Sequence, residues 1–116
     1  MWCIIKAEEM AFEPYSKGVA DIKRVIRQGA GEGRFEGFGF LRLPSKGLFP
    51  KHVHPEREEI YYVVSGAGTL MIGDKELTVS GGNVILISGD VSHGLSNPTD
   101  KPFEVLYVTA LVLKDP

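Results

Sequence analysis

Three histidines and one glutamate are the residues of this chain best placed to do chemistry together. His52 and His54 flank a single valine in His52-Val53-His54-Pro55, and four residues separate His54 from Glu59. Side chains at i and i+2 of a strand project from one face, so both imidazoles can reach one ion while Val53 packs on the other side. Pro55 interrupts that strand, because it fixes its own φ and donates no ladder hydrogen bond. The run from Glu59 is rich in β-branched and aromatic residues and stops at the glycine turn Ser65-Gly66-Ala67-Gly68. A hairpin of this kind would fold Glu59 back beside the two histidines. An ion needs three or four converging donors, and imidazole is the commonest protein ligand. The third and last histidine, His93, lies in a turn leading into a strand, directly after the apolar run Val84-Ile85-Leu86-Ile87. The competing reading takes the histidines as surface residues and Glu56, Glu58 and Glu59 as a solvated charge run.

The elements that must position these residues read as a small all-β protein. Runs of strand composition recur between glycine or proline punctuation: Val19 to Ile26, Phe35 to Leu43, Glu59 to Val64, Thr69 to Ile72, Glu76 to Val79, Asn83 to Ile87 and Phe103 to Leu113. That spacing predicts a sandwich or barrel. Gly73-Asp74-Lys75 reads as a hairpin turn and Ser80-Gly81-Gly82 as the next reversal. Ile22, Val25 and Ile26 also fit a helical stripe, but the segment is assigned as strand. Gly29-Ala30-Gly31-Glu32-Gly33 lacks the Gly-Lys-Ser/Thr ending of a phosphate loop and reads as a hairpin loop. Residues 1 to 18 look irregular and suit an arm on one domain spanning 1 to 116.

At this point the residues resemble a known family. The single-domain cupins carry a first motif G-x5-H-x-H-x3,4-E-x6-G and a second G-x5-P-x-G-x2-H-x3-N. His52, His54, Glu59 and Gly66 fall in place in the first, and Gly82, His93 and Asn97 in the second. Glu58 fits the shorter interval to the histidine but not the interval to Gly66, so Glu59 is preferred. The chain departs from the pattern at Lys46, where the first motif has glycine, and at Ser88 and Asp90, where the second has proline and glycine. The likeness covers roughly residues 36 to 112, and several fixed intervals agree at once. It implies a double-stranded β-helix, or jelly-roll barrel, holding one divalent metal ion on His52, His54, Glu59 and His93.

Three imidazoles and a carboxylate would leave one or two positions open on a five- or six-coordinate ion. The donor set suits manganese, iron, nickel, zinc or copper, with manganese or iron favoured. What the resemblance implies is a metalloenzyme acting on a small organic acid, an oxygenated aromatic or a sugar derivative, of dioxygenase, decarboxylase or isomerase type. The alternative is a non-catalytic module that binds or senses a small molecule. Glu59 would double as ligand and proton acceptor. If Glu59 points inward, Tyr61 and Val63 share its face and Ile60 and Tyr62 oppose it, which makes Tyr61 a candidate for catalysis and substrate contact. Phe38, Phe40 and Arg42 share one face of their strand, opposite Leu41 and Leu43. Pointing inward, Phe40 and Arg42 would touch substrate, with the guanidinium pairing a carboxylate. Pointing outward, Arg42 is a solvated residue on an edge or at a subunit contact.

Bulk properties exclude other classes. A chain of 116 residues can bury roughly two thirds of its unfolded surface. With 13 basic against 15 acidic residues and a net charge of −2, it has no basic excess for nucleic acid. No apolar run is long enough for a membrane span or signal peptide, so a cytoplasmic protein is expected. The lone Cys3, between Trp2 and Ile4, is expected to be buried or at an interface. The apolar C-terminal strand and the arm leave edges for a second copy to cover, so a homodimer is expected.

Overall fold

A computed structural model describes residues 1–112 of the chain. Its strands in chain order are β1 (Glu13–Pro14), β2 (Asp21–Ile26), β3 (Phe35–Leu43), β4 (Leu48–His52), β5 (Arg57–Ser65), β6 (Ala67–Ile72), β7 (Lys75–Ser80), β8 (Val84–Ser88), β9 (His93–Ser96) and β10 (Phe103–Leu111). They form a six-stranded sheet, ordered β1-β2-β3-β10-β5-β8, and a four-stranded sheet, ordered β4-β9-β6-β7, with antiparallel pairing throughout. The protein is thus an all-β double-stranded β-helix. Among the described residues no helix is long and apolar enough to cross a membrane.

Period-two patterning builds the core. Along β5, Glu59, Tyr61 and Val63 are buried while Glu58, Ile60, Tyr62 and Val64 are exposed. Leu41, Leu43, Phe103 and Val105 face inward from the same sheet, and Phe49, Leu70, Val79 and Leu95 meet them from the other. Burying a side chain of this size contributes about 1.5–3 kcal/mol. The segment Asp21–Ile26 is a strand, not a helical turn, and pairs with β3 across the glycine-rich loop.

The expected hairpin between the histidine strand and the glutamate strand does not form. β4 and β5 lie in different sheets. The chain turns a corner between them at Val53 to Glu56, where Pro55 ends ladder donation, His54 N–H donates to the Gly89 carbonyl at 2.9 Å, and Arg57 N–H donates to the His54 carbonyl at 3.0 Å. Gly89 is required here, because a Cβ on it would collide with the carbonyls of His54 and Arg57. His54 therefore sits just beyond its strand, and Glu59 reaches the histidines by packing of one sheet on the other. The last predicted strand ends at Leu111; Leu113 lies outside the described residues. Cys3 is exposed, not buried. In the N-terminal segment, a 3-10 turn at Ala7–Glu9 and β1 precede β2, and Lys23 Nζ donates to the Ala7 carbonyl at 2.9 Å.

Asn97 ties the two sheets together. Its fully buried amide nitrogen lies 3.0 Å from the carbonyls of Leu43 and Pro44 and 2.7 Å from that of Lys101, while its oxygen accepts from Thr99 N–H and Oγ1. The same clip bears on Lys46, whose N–H donates to the Asn97 carbonyl at 2.8 Å. Lys46 occupies the place of the first motif's glycine and has φ +62°. It is the third residue of a turn closed by Gly47 N–H and the Pro44 carbonyl at 2.8 Å. A left-handed backbone costs a residue with a Cβ about 1–2 kcal/mol, and glycine nothing. Lys46→Gly is therefore expected to stabilise the fold by up to about 1 kcal/mol, after glycine's greater unfolded-state entropy is subtracted. Thermal melts should show a higher midpoint, and a lower one would refute strain at this turn.

Candidate metal centre

The two sheets bring His52, His54, Glu59 and His93 to one point. One nitrogen from each imidazole and one carboxylate oxygen lie within 4.8 Å of one another. Two donors on opposite sides of a shared ion stand about 4.2 Å apart, twice a bond of about 2.1 Å, so small adjustments would complete a coordination sphere. His52 and His93 are directly opposed in the β4–β9 ladder, with ring centroids 4.4 Å apart, and His54 lies 5.2 Å from each. Glu59, only 5% exposed, enters from β5.

The hydrogen bonds around the rings suit a metal. His52 Nδ1 lies 3.0 Å from the Pro50 carbonyl and His93 Nδ1 lies 2.7 Å from the Val91 carbonyl. Donating there leaves Nε2 of each ring for the cluster, the arrangement that orients metal-bound imidazoles. Glu59 Oε1 lies 2.7 Å from His54 Nε2 and 3.1 Å from His93 Nε2. Both His93 nitrogens face an acceptor, the Val91 carbonyl and the Glu59 carboxylate, an arrangement that favours the protonated ring. Burial opposes that charge, but the hydrogen bond to Glu59, the Val91 carbonyl and the charge of Glu59 outweigh it, and the His93 pKa is raised from 6.5. Glu59 shows the converse: burial favours its neutral form, yet the hydrogen bond and charge of His93, with the charge of His54, lower its pKa. Burial leads at His52, whose pKa falls.

Beside the cluster opens a cavity of about 380 Å³, with His52, His54 and Glu59 in its lining. Its walls come from β2, β3, β5 and β10, including Arg24, Glu36, Arg57, Tyr107 and Thr109. Gly37 and Gly39 face inward on β3; a Cβ on Gly39 would meet the Lys23 carbonyl and stand 2.7 Å from Tyr107 Oη, so the Tyr107 ring lies over bare backbone. These wall residues escaped the reading of the sequence. Counting by two from Glu59 would have found Arg57, as it found Tyr61, and counting by two from the buried Ile22 would have found Arg24.

Not every candidate residue joins the site. Tyr61 shares the face of Glu59, with its ring centroid 6.1 Å from His93, but it is fully buried and does not line the cavity. Burial raises its pKa well above 10, with help from the charge of Glu59, so it stays neutral. Phe40 and Arg42 are not brought to the cavity at all. The inward positions of β3 are Gly37, Gly39, Leu41 and Leu43, which sends Phe40 and Arg42 to the outer face. There Arg42 pairs with Glu104 of β10 at 3.2 Å and lies 3.9 Å over the Phe12 ring. An exposed pair of this kind is worth about 1 kcal/mol or less. Arg42 is a surface brace between strands and arm.

Comparison with known proteins gives the site its family. The cupin domain family matches residues 39–109, more than half of the chain. The chain is a cupin. It is 24% identical over 114 residues to the oxalate-binding protein of Thermotoga maritima, covering 94% of each. Its fold superposes on a predicted oxalate decarboxylase from Thermotoga maritima with a TM-score of 0.87 at 23% identity, over 95% of this chain and all of that one. It superposes on the polyketide cyclase RemF of Streptomyces resistomycificus with a TM-score of 0.76 at 23% identity, over 100% and 83%. Identities this low show a shared fold, and the names differ in chemistry.

The raised His93 pKa predicts how uptake of an ion by the cluster would depend on pH. The His93–Glu59 pair stabilises the metal-free fold fully below pH 6.5 and ceases to as pH rises through the raised His93 value. The lowered Glu59 pKa contributes above pH 4.5 and is lost as pH falls through its depressed value. An ion would displace a proton held by His93, so affinity for Mn²⁺ is expected to rise as pH passes upward from 6.5 through the raised His93 value, with about one proton released per ion. Calorimetry in buffers of different ionisation enthalpy measures the release. Binding without proton release would contradict the assigned protonation.

Proposed function

We propose that this cupin binds a small organic acid at a divalent ion held by His52, His54, Glu59 and His93. The carrying observation is that the four donors converge and that three of them, His52, His54 and Glu59, line an open cavity, with His93 fully buried. A structural ion would be closed off by its ligands, whereas positions facing a cavity accept an exogenous oxygen donor. Manganese or iron suits a mixed imidazole and carboxylate set with room for six donors. Such an ion supplies Lewis-acid polarisation of a bound carboxylate oxygen. The chain's residues do the rest. Glu59 holds its charge under burial, the carbonyls of Pro50 and Val91 fix two imidazoles, and the apolar wall of Ile22, Leu41 and Phe49 limits water. The oxalate-binding protein of Thermotoga maritima, alike over almost the whole chain, supports a carboxylate as ligand.

A catalytic role on the bound acid, of decarboxylase, dioxygenase or isomerase type, would also need a proton carrier. Glu36 lines the cavity with Oε2 buried and without a hydrogen-bond partner, and is the side chain available for it. The non-catalytic alternative predicts oxalate binding without turnover. Oxalate titrated into Mn²⁺-loaded protein is expected to bind, and to lose that binding after chelation and in His52→Ala and His93→Ala. Affinity unchanged by chelator would sink the reading, and consumption of bound oxalate would decide for the enzyme.

A homodimer belongs to the same proposal. Ile60, Tyr62, Val84 and Leu86 form an exposed apolar strip on the outer face of β5 and β8, and β8 is the edge of its sheet. A second copy applying its own strip would cover both edges at once. Gel filtration is expected to give twice the 12.7 kDa chain mass, and Leu86→Glu to give a monomer. A wild-type protein that stays monomeric at high concentration would refute it.

A further inference from the structure

We propose that Arg24 and Arg57, on opposite walls of the cavity that His52, His54 and Glu59 line, form an anion subsite beside the metal centre, which makes the ligand a dianion longer than oxalate. One carboxylate would lie on the ion and a second anionic group on the two guanidiniums. This rests on the reading of the cluster as a metal centre that takes a carboxylate.

The placement of both arginines carries the inference. In β2, Ile22 is buried opposite Leu41, and Arg24 follows on the same face opposite Gly39, which offers no side chain to fill the space. Arg24 lines the cavity and forms no ion pair or hydrogen bond among the described residues. Arg57 stands two positions before Glu59, on the inward face of β5. Its Nε is buried without a hydrogen-bond partner, the nearest carboxylate being Glu56 at 3.6 Å. A buried donor without an acceptor costs about 1–3 kcal/mol, which an anionic ligand would recover. Arg27 is different: it lies at the rim, exposed, and is already paired with Glu13 at 3.4 Å.

The cavity lining carries the carboxylates of Glu36 and Glu59 and the guanidiniums of Arg24, Arg27 and Arg57, but Arg27 pairs with Glu13 and Arg57 lies beside Glu56, so distance and not net charge bears on the kind of ligand. Glu36 would repel an anion, so its free oxygen suits a hydroxyl on the ligand's body. Arg24 rises from β2, three strands from the β5 that carries Glu59, about 14 Å at the usual strand spacing, a gap shared between the arginine side chain and the ligand. The two carboxyl groups of oxalate share a single bond, so oxalate spans the least of it. At about 380 Å³ the cavity could hold roughly a dozen waters at about 30 Å³ each, room for a body of several carbons.

The test compares ligands of matched length on Mn²⁺-loaded protein by calorimetry: oxalate, succinate and glutarate against butyrate and valerate. Succinate or glutarate is expected to bind about tenfold or more tighter than its monocarboxylate partner, the usual size for a charge-assisted hydrogen bond. Arg24→Gln and Arg57→Gln are each expected to abolish that preference, with metal content retained and oxalate affinity reduced far less than succinate affinity. Should one variant fail to fold, the other carries the same test from the opposite wall. A preference that survives both substitutions overturns the subsite. A loss of oxalate affinity equal to that of succinate overturns the length argument. If oxalate and the monocarboxylates all fail to bind metal-loaded protein, the carboxylate reading of the metal centre fails, and the subsite with it.

Discussion

The buried carboxylate of Glu59 is the constraint on which the rest of the structure depends. An ionised carboxylate withdrawn from water costs several kcal/mol unless charge and hydrogen bonds compensate it. Compensation comes from imidazoles carried by the opposite sheet, so the face-to-face closure of the barrel and the assembly of the site are one event. Several unrelated-looking features serve that closure. Asn97 holds the end of β3 to the strand link beyond His93. Gly89 lets the turn after β8 press on the His54 corner. The inward row of β5 then delivers Glu59 with Tyr61 and Val63 packed behind it.

The donors were legible in the sequence because their chemistry is rare and their intervals are fixed. Only three histidines exist, and all three converge. The alternation that put Glu59, Tyr61 and Val63 on one face was legible too, since it follows from strand geometry alone. How the two halves meet was not. Pro55 announces an interruption, but whether the chain then doubles back within one sheet or crosses to another depends on partners far away, Gly89 among them. A hairpin is the local guess, and the sheets overrule it.

The wall of the cavity was hidden for a related reason. Parity along a strand tells which residues share a face but not which face is inside. Arg42 drew notice because it lies close in sequence to the histidines, yet its partners are Glu104 and Phe12 on the outer face. Arg24 lies farther away and belongs to a strand that also fits a helical stripe, and it points inward. Lys46 shows a different limit. Its departure from the family glycine is visible in the sequence, but the left-handed backbone it must adopt is visible only in the structure.

The β2–β3 hairpin contributes no donor to the cluster, although it lines much of the cavity beside it. The four donors and much of the cavity wall are therefore carried on separate pieces of chain. Substitutions at the inward positions of β2, or changes in the open loop from 27 to 34, can reshape what enters without disturbing the four donors. A fold built this way can change what its cavity admits while keeping its donor cluster, so proteins with the same four donors need not share a ligand.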